Sequence, residues 1–192
     1  DPTSSYAQAA AYAMGRAMDD VIIAAATGTA YTGETGTGTE SAQTAIAASV
    51  GSTTGLNIPK LAKAKETFDL SDVDPSIARH IIVSPEQINN LLNVTEVTSS
   101  DFNTVKALVQ GEIDTFLGFK FTVSNRLAKS GNDRTCIAFA QDGITLGVGK
   151  DVSARIDERA DKSYATQVYY CMSIGATRME QAKVIGITCT EA

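Results

Sequence analysis

SYAQAAAYAMGRAMDDVIIAAA, residues 5–26, is a helix written in apolar spacing. Tyr6, Ala10, Ala13, Met14, Ala17, Met18, Val21, Ile22 and Ala25 recur at helical intervals on one broad face. Gln8, Arg16, Asp19 and Asp20 are the main polar positions. Ser5 and Gln8 have the spacing of a capping box, in which each side chain satisfies an orphan amide of the first turn. Thr27-Gly28 closes the stretch. About 20 residues at 1.5 Å each span about 30 Å, long for a chain of 192 residues. The many alanines let a neighbouring backbone or sheet approach closely.

Beyond this helix the composition changes. Gly, Ser and Thr supply 18 of the 31 residues from 27 to 57, and Lys and Arg are absent. The reading is a hairpin or loop excursion with a mobile tip around Gly33–Gly38, and a short strand over Thr44–Val50. Asn57 then caps a second helix with Pro59 in its first turn, where a missing amide costs little. Ile58, Leu61, Ala62 and Phe68 are its expected buried face. Asp69–Pro75 reads as an acidic turn, Arg79–Ser84 as a buried strand around Ile81-Ile82-Val83, and Pro85–Asn93 as a short helix. Ser100 or Asp101 opens a further helix to about Gln110. Phe116–Ser124 alternates as a half-buried strand with Phe119, Phe121 and Val123 inward. Thr135–Ala140, Val152–Arg159, Tyr164–Thr177 and Lys183–Cys189 complete the strands, with a turn over Ala160–Ser163. Helices and strands are segregated rather than alternating, so the class is α+β.

Composition narrows the function. With 43% hydrophobic and 20% charged residues the chain has an ordinary globular balance rather than a disordered one. A net charge of −6 argues against tight phosphate binding driven by a basic field. Cys136, Cys171 and Cys189 are odd in number, widely spaced and without a CxxC, which argues against a disulfide framework or a zinc cage. His80 is the single histidine, which removes most His-based metal sites and proton relays. No apolar run approaches 18 residues, so no membrane partner is expected. The chain begins at Asp1 rather than Met, and the expectation is a fragment or processed product.

Candidate chemistry is sparse. Cys136 and His80 form the one plausible thiol-hydrolase pairing. Against it, Thr135-Cys136-Ile137-Ala138-Phe139 reads as a strand in which a buried inert thiol is usual. Gly143–Asp151 faintly echoes a nucleotide loop. However, Ile144 stands where a phosphate loop needs Gly, Asp151 where it needs Ser or Thr, and Val152 where a dinucleotide fingerprint needs Gly. Turn glycines between strands are the preferred reading. Asp69, Asp72 and Asp74 fail the calcium-loop pattern at Ile77 and Val83. Within Arg155-Ile156-Asp157-Glu158-Arg159, strand alternation puts Arg155, Asp157 and Arg159 on one side. The run is either a solvated strand face or a subunit contact in which alternating charge specifies register.

Several ordered strings carry a family resemblance. They are Ser4-Ser5-Tyr6-Ala7-Gln8 leading to Ala13-Met14-Gly15-Arg16-Ala17-Met18-Asp19-Asp20, then Arg79-His80-Ile81-Ile82-Val83-Ser84-Pro85-Glu86-Gln87. Gly111-Glu112-Ile113-Asp114-Thr115-Phe116-Leu117-Gly118-Phe119-Lys120, Ala154–Arg159 and Ser173-Ile174-Gly175-Ala176-Thr177-Arg178 follow. Across the whole chain this set resembles the major capsid proteins of tailed bacteriophages, the Hong Kong 97-type shell fold, and in particular a group found in some short-tailed phages.

The resemblance implies an α+β fold with a long spine helix, peripheral β-strands and an axial α/β domain. It implies a peripheral domain over 1–55 and 141–178 and an axial domain over 56–140 and 179–192, with the family's N-terminal arm and extended loop missing. It implies a structural protein and not an enzyme: a major capsid subunit that self-assembles into an icosahedral shell enclosing phage DNA. No catalytic, cofactor or metal-binding residue carries over, and no cofactor is implied. The implied partners are copies of the same chain in pentamers and hexamers, and a scaffolding protein, with DNA enclosed without sequence-specific binding. The implied location is the virion capsid, assembled in the host cytoplasm. Arg155, Asp157, Glu158 and Arg159 are the expected subunit contact. The alternatives are an encapsulin-like nanocompartment shell protein and a cytosolic thiol hydrolase using Cys136 and His80.

Overall fold

A computed structural model describes residues 2–40, 44–51, 54–93 and 115–191. Helix α1 runs Pro2–Thr27, about 39 Å at 1.5 Å per residue. It starts before Ser5, so Ser5 and Gln8 lie inside its first turns and the expected capping box does not form. Pro2 takes the opening position, where an absent N–H costs nothing. The buried end is the C-terminal one: Ile23 and Ala26 are buried, whereas Tyr6 and Tyr12 stand in solvent and Ala13 is exposed. The face therefore drifts around the helix, because only its last turns meet the core. At the end, Gly28 N–H donates to the Ala24 carbonyl at 2.8 Å. A Cβ at Gly28 would sit 2.8 Å from that same oxygen, which is why the stop is a glycine.

The Gly/Thr-rich stretch does fold into a hairpin. Strand β1 (Ala30–Thr32) pairs antiparallel with β2 (Gly38–Glu40) around a tip containing Gly33 and Gly36. Strand β3 (Thr44–Ile46) is shorter than the expected Thr44–Val50, because the chain turns after it, Val50 N–H donating to the Ala47 carbonyl. Helix α2 (Ile58–Leu70) starts where its cap dictates: Asn57 Oδ1 accepts from Lys60 N–H at 2.9 Å. Its buried face is Lys60, Leu61, Ala64 and Phe68; Ala62 is exposed. Lys60 is buried because its Nζ donates to the carbonyls of Thr54 (2.7 Å) and Gly55 (2.8 Å). Asp69, expected in the acidic turn, belongs to the last turn of α2 and pairs with Arg79 at 2.7 Å, and Asp74 of the turn accepts from Ser76 N–H.

Strand β4 (Arg79–Val83) and helix α3 (Pro85–Asn93) follow as the sequence predicts; the helix expected between Ser100 and Gln110 lies outside the described residues. Strands β5 (Thr115–Phe116) and β6 (Phe119–Val123) join through Leu117 and Gly118. Both have positive φ, the backbone of a two-residue hairpin turn. Val123 is exposed rather than inward, since β6 pairs with β4 on one side and only with two-residue β5 on the other. The remaining strands are β7 (Lys129–Ser130), β8 (Asp133–Ala140), β9 (Ile144–Arg159), β10 (Ala165–Arg178) and β11 (Val184–Thr190).

Beside the β1–β2 hairpin, two larger bodies of structure are formed by the described residues. One is a mixed sheet in the order β3-β11-β8-β4-β6-β5, with β7 on β8. The β3–β11 and β4–β6 pairs are parallel. Ile81, Val83, Ile137, Ile185 and Ile187 are fully buried in it, with Leu61 and Phe68 of α2 and Leu91 of α3. Arg79 is buried too, its guanidinium 5.3 Å from the centre of the Phe68 ring. The other body is the antiparallel pair β9–β10, with α1 laid along it. Arg126 ties the two together through a bidentate ion pair with Asp20 of α1.

Candidate contact surface

Strand β9 has 16 residues and β10 has 14, so the ribbon is about 50 Å long at 3.3 Å per residue. Its first half was expected to be turn glycines. Instead Gly147 and Gly149 lie within the strand, Gly147 directly opposite Gly175. Two register shifts follow. Cys171 faces Ser153, Ser173 faces Lys150, and Ile174 faces Val148, so β9 carries two residues more than β10 over this stretch. Two insertions, unlike one, return every side chain to its original face.

The faces differ in chemistry. One carries Tyr170, Ile174, Ala176 and Arg178 of β10 with their opposite numbers Ala154, Val148, Leu146 and Ile144 of β9. Helix α1 covers the base of this face. Tyr170 Oη donates to the Ala7 carbonyl at 3.3 Å. Arg178, 3% exposed, donates from Nη1 to the carbonyls of Ala26 (3.2 Å) and Gly28 (2.9 Å). The last turn of α1 contains no basic residue of its own. A cation from β10 therefore meets the negative end of the helix.

The opposite face carries Arg155 against Tyr169, Asp157 against Gln167, and Ser153 against Cys171. Ser153 apart, every residue from Asp151 to Gln167 is exposed, apolar ones included: Ile156 is 53% exposed and Tyr164 72%. A two-stranded ribbon bare on both faces is marginal on its own. Exposed apolar side chains rimmed by charge are the composition of a surface that another surface covers.

Within the charged run, Arg155, Asp157 and Arg159 share the polar face, as alternation predicts. Glu158, opposite Thr166, is on the other. Arg159 is drawn to the turn, where Nε donates to Asp161 Oδ1 at 2.9 Å. That turn is a short 3-10 segment, Ala160–Lys162, followed by Ser163 and Tyr164, both in left-handed backbone.

Cys136 and His80 are not brought together. In the β4–β8 pairing His80 lies opposite Phe139, whereas Ala138 lies opposite Ile81. Cys136 shares the face of Ala138, so the two residues stand on opposite faces of the sheet. His80 stacks on Phe139, ring centres 5.5 Å apart. Cys136 is fully buried. A hydrogen bond with Cys189 and burial together push its thiol well above the ordinary range. That is an inert thiol, and the dyad fails on geometry.

Sequence reading missed two arrangements. Glu191 is 2% exposed and collects Ser84 Oγ (2.6 Å), Arg134 Nε (2.7 Å) and Lys129 Nζ (3.2 Å). On the polar face of the ribbon, Lys150 Nζ and Ser153 Oγ lie 3.1 and 3.0 Å from Cys171 Sγ. Neither follows a local spacing; each is assembled across strands.

The likeness to known proteins agrees with this architecture. A protein of Mycobacterium phage Che8 is similar at 18% identity and a TM-score of 0.66, over 95% of this chain and 61% of that one. The capsid of the cyanophage P-SCSP1u is similar at 16% identity and a TM-score of 0.70, over 100% and 67%. A virus-like particle from Pyrococcus furiosus is similar at 14% identity and a TM-score of 0.51, over 76% and 56%. The chain thus spans about three fifths of the length of the first of these. No curated protein matches the sequence at a significant level. The fold is the Hong Kong 97-type shell fold. The family described as phage capsid protein matches residues 1–191, and the chain, with its spine helix laid on a long bare ribbon, belongs to that family.

Proposed function

We propose that this protein is a major capsid subunit whose work is association with copies of itself into a closed shell around phage DNA. Family membership along residues 1–191 carries the reading. The bare β9–β10 ribbon supports it by supplying a surface that needs a partner. Function then resides in shape and charge complementarity, with heterologous contacts that close into pentamers and hexamers. The net charge of −6 suits a container that holds DNA without binding its sequence. Three free thiols suit assembly in a reducing host cytoplasm, with a scaffolding protein as assembly partner.

The proposed division is a peripheral part, 1–55 and 141–178, and an axial part, 56–140 and 179–192. Helix α1 and the ribbon supply the first, and most of the large sheet with α2 and α3 supplies the second. Strand β3 is the piece of the first set that crosses to pair with β11. Arg155, Asp157, Glu158 and Arg159 form the proposed register-setting contact.

Electron microscopy of the whole coding product, expressed alone and with its co-encoded scaffolding protein, tests the reading. Closed icosahedral shells with the ribbon covered by neighbours are expected. A folded product that stays monomeric in both cases overturns it. Shells that package a cellular enzyme instead of DNA assign the protein to the nanocompartment class.

A further inference from the structure

We propose that Cys171, Lys150 and Ser153 form a nucleophilic thiol site on the polar face of the ribbon, open to covalent modification by small anionic disulfides. The geometry points to it in three ways. Lys150 Nζ lies 3.1 Å from Cys171 Sγ and Ser153 Oγ lies 3.0 Å away, so an ammonium and a hydroxyl converge on one sulfur. The sulfur opens into a groove lined by Lys150, Ser153, Arg155, Asp157, Gln167 and Tyr169, all from the two ribbon strands. Cys136 and Cys189, by contrast, are sealed in the core.

Charge completes the argument. Lys150 and Arg155 face the groove with one carboxylate, Asp157; Asp151 next to Lys150 turns its Oδ1 to the Val152 N–H at 2.7 Å. Hydrogen bonds from Ser153 and Lys150 hold the thiol below its ordinary range. A partly exposed cysteine beside a cation is the setting in which thiols react. The paired bulges create the site, because without them Lys150 would not stand beside Cys171.

The step is an exchange with no net oxidation. The proton of Cys171 leaves to solvent, and the thiolate attacks one sulfur of the disulfide. That S–S bond breaks as the new Cys171 S–S bond forms, and the other half departs as a thiolate with the electron pair. Lys150 keeps its proton throughout. An oxidised acidic peptide thiol is the biological class of reagent, since its carboxylates meet Lys150 and Arg155. The site is a property of the unassembled chain: a neighbouring copy seated on this face, as the proposed function has it, would close the groove around Cys171.

The test uses the intact chain, an aromatic dicarboxylate disulfide and a neutral dihydroxyl disulfide, read by absorbance and intact mass near neutral pH. One thiol is expected to react at least about tenfold faster than in the urea-unfolded chain. Peptide mapping is expected to place it at residue 171, with the anionic reagent preferred. Cys171→Ser should remove the fast phase. Lys150→Met should slow it about fivefold or more and move the pH midpoint of alkylation upward, while Lys150→Arg largely preserves both. Continued protection of Cys136 and Cys189 in each variant reports that the fold is intact. No fast phase, a fast phase that survives Cys171→Ser, or an unchanged rate and midpoint in a folded Lys150→Met chain overturns the proposal.

Discussion

Glu191 sits one position from the last residue of the chain, where a charged side chain ordinarily reads as solvated. It is instead an ionised anchor. Burial alone would raise its pKa. Hydrogen bonds from Ser84 and Gln87 and the neighbouring cations Arg134 and Lys129 outweigh that and hold it from 4.5 down to about 2. A carboxylate with a depressed folded pKa adds stability that is complete above about pH 4.5 and drains away as pH falls towards 2. The difference corresponds to about 3 kcal/mol. Glu191→Gln should therefore lower Tm by roughly 6–12 °C at neutral pH and flatten the dependence of Tm on pH between about 5 and 2. Thermal unfolding followed by circular dichroism across that range checks it, and an unchanged acid limb would show that the carboxylate is not the anchor. Sequence could not disclose this residue, because its four partners come from β4's end, α3, β7 and β8. Asn57 was legible for the opposite reason: its partner Lys60 is three residues away.

At the scale of elements, those that carry their own start signal were readable. Asn57 with Pro59 marks α2, Pro85 marks α3, and Ile81-Ile82-Val83 marks a strand buried on one face and half-buried on the other. Elements defined by their neighbours were not. The base of β9 contains Gly147 and Gly149, residues that weaken strands in isolation, and it is extended because β10 pairs with it along its length. Charged alternation in Arg155–Arg159 was correctly placed on a strand, but the groove around Cys171 depends on two bulges that no local pattern announces. Arg178 illustrates the energetics of this level. Its guanidinium hydrogen-bonds two carbonyls at the end of α1, and hydrogen bonds to a charged group contribute about 1.5–3 kcal/mol each. Arg178→Met should cost about 3–6 kcal/mol and loosen the helix where it leaves the ribbon. Hydrogen exchange should show lost protection over residues 20–28 while α2 and α3 keep theirs. Uniform loss across the chain would argue that Arg178 supports the whole core instead.

For the whole molecule, stable association needs about 1,200–2,000 Å² of buried surface with a well-packed centre. The apolar side chains of the ribbon are suited to supply that centre, and the charges to set the register around it. Arg155→Glu combined with Arg159→Glu should leave the chain folded and its Tm within about 2 °C, since exposed pairs contribute roughly 0–1 kcal/mol. The same double variant should reduce the yield of closed shells several-fold in sedimentation and microscopy. Shells of normal size and yield would remove these residues from the contact.

Helix α1 holds β10 at Arg178 and again at Tyr170, on either side of the facing glycines Gly147 and Gly175, so the ribbon's lever starts beyond Tyr170. About 16 Å of paired backbone, Ala154 to Arg159, lies past that hold at 3.3 Å per residue. A rotation of about 10° there swings the far turn by about 3 Å, the length of one hydrogen bond. Small angular adjustments near the spine helix are thus converted into the making or breaking of contacts at the tip. In the proposed shell, one sequence would in this way meet neighbours at slightly different angles without repacking its core.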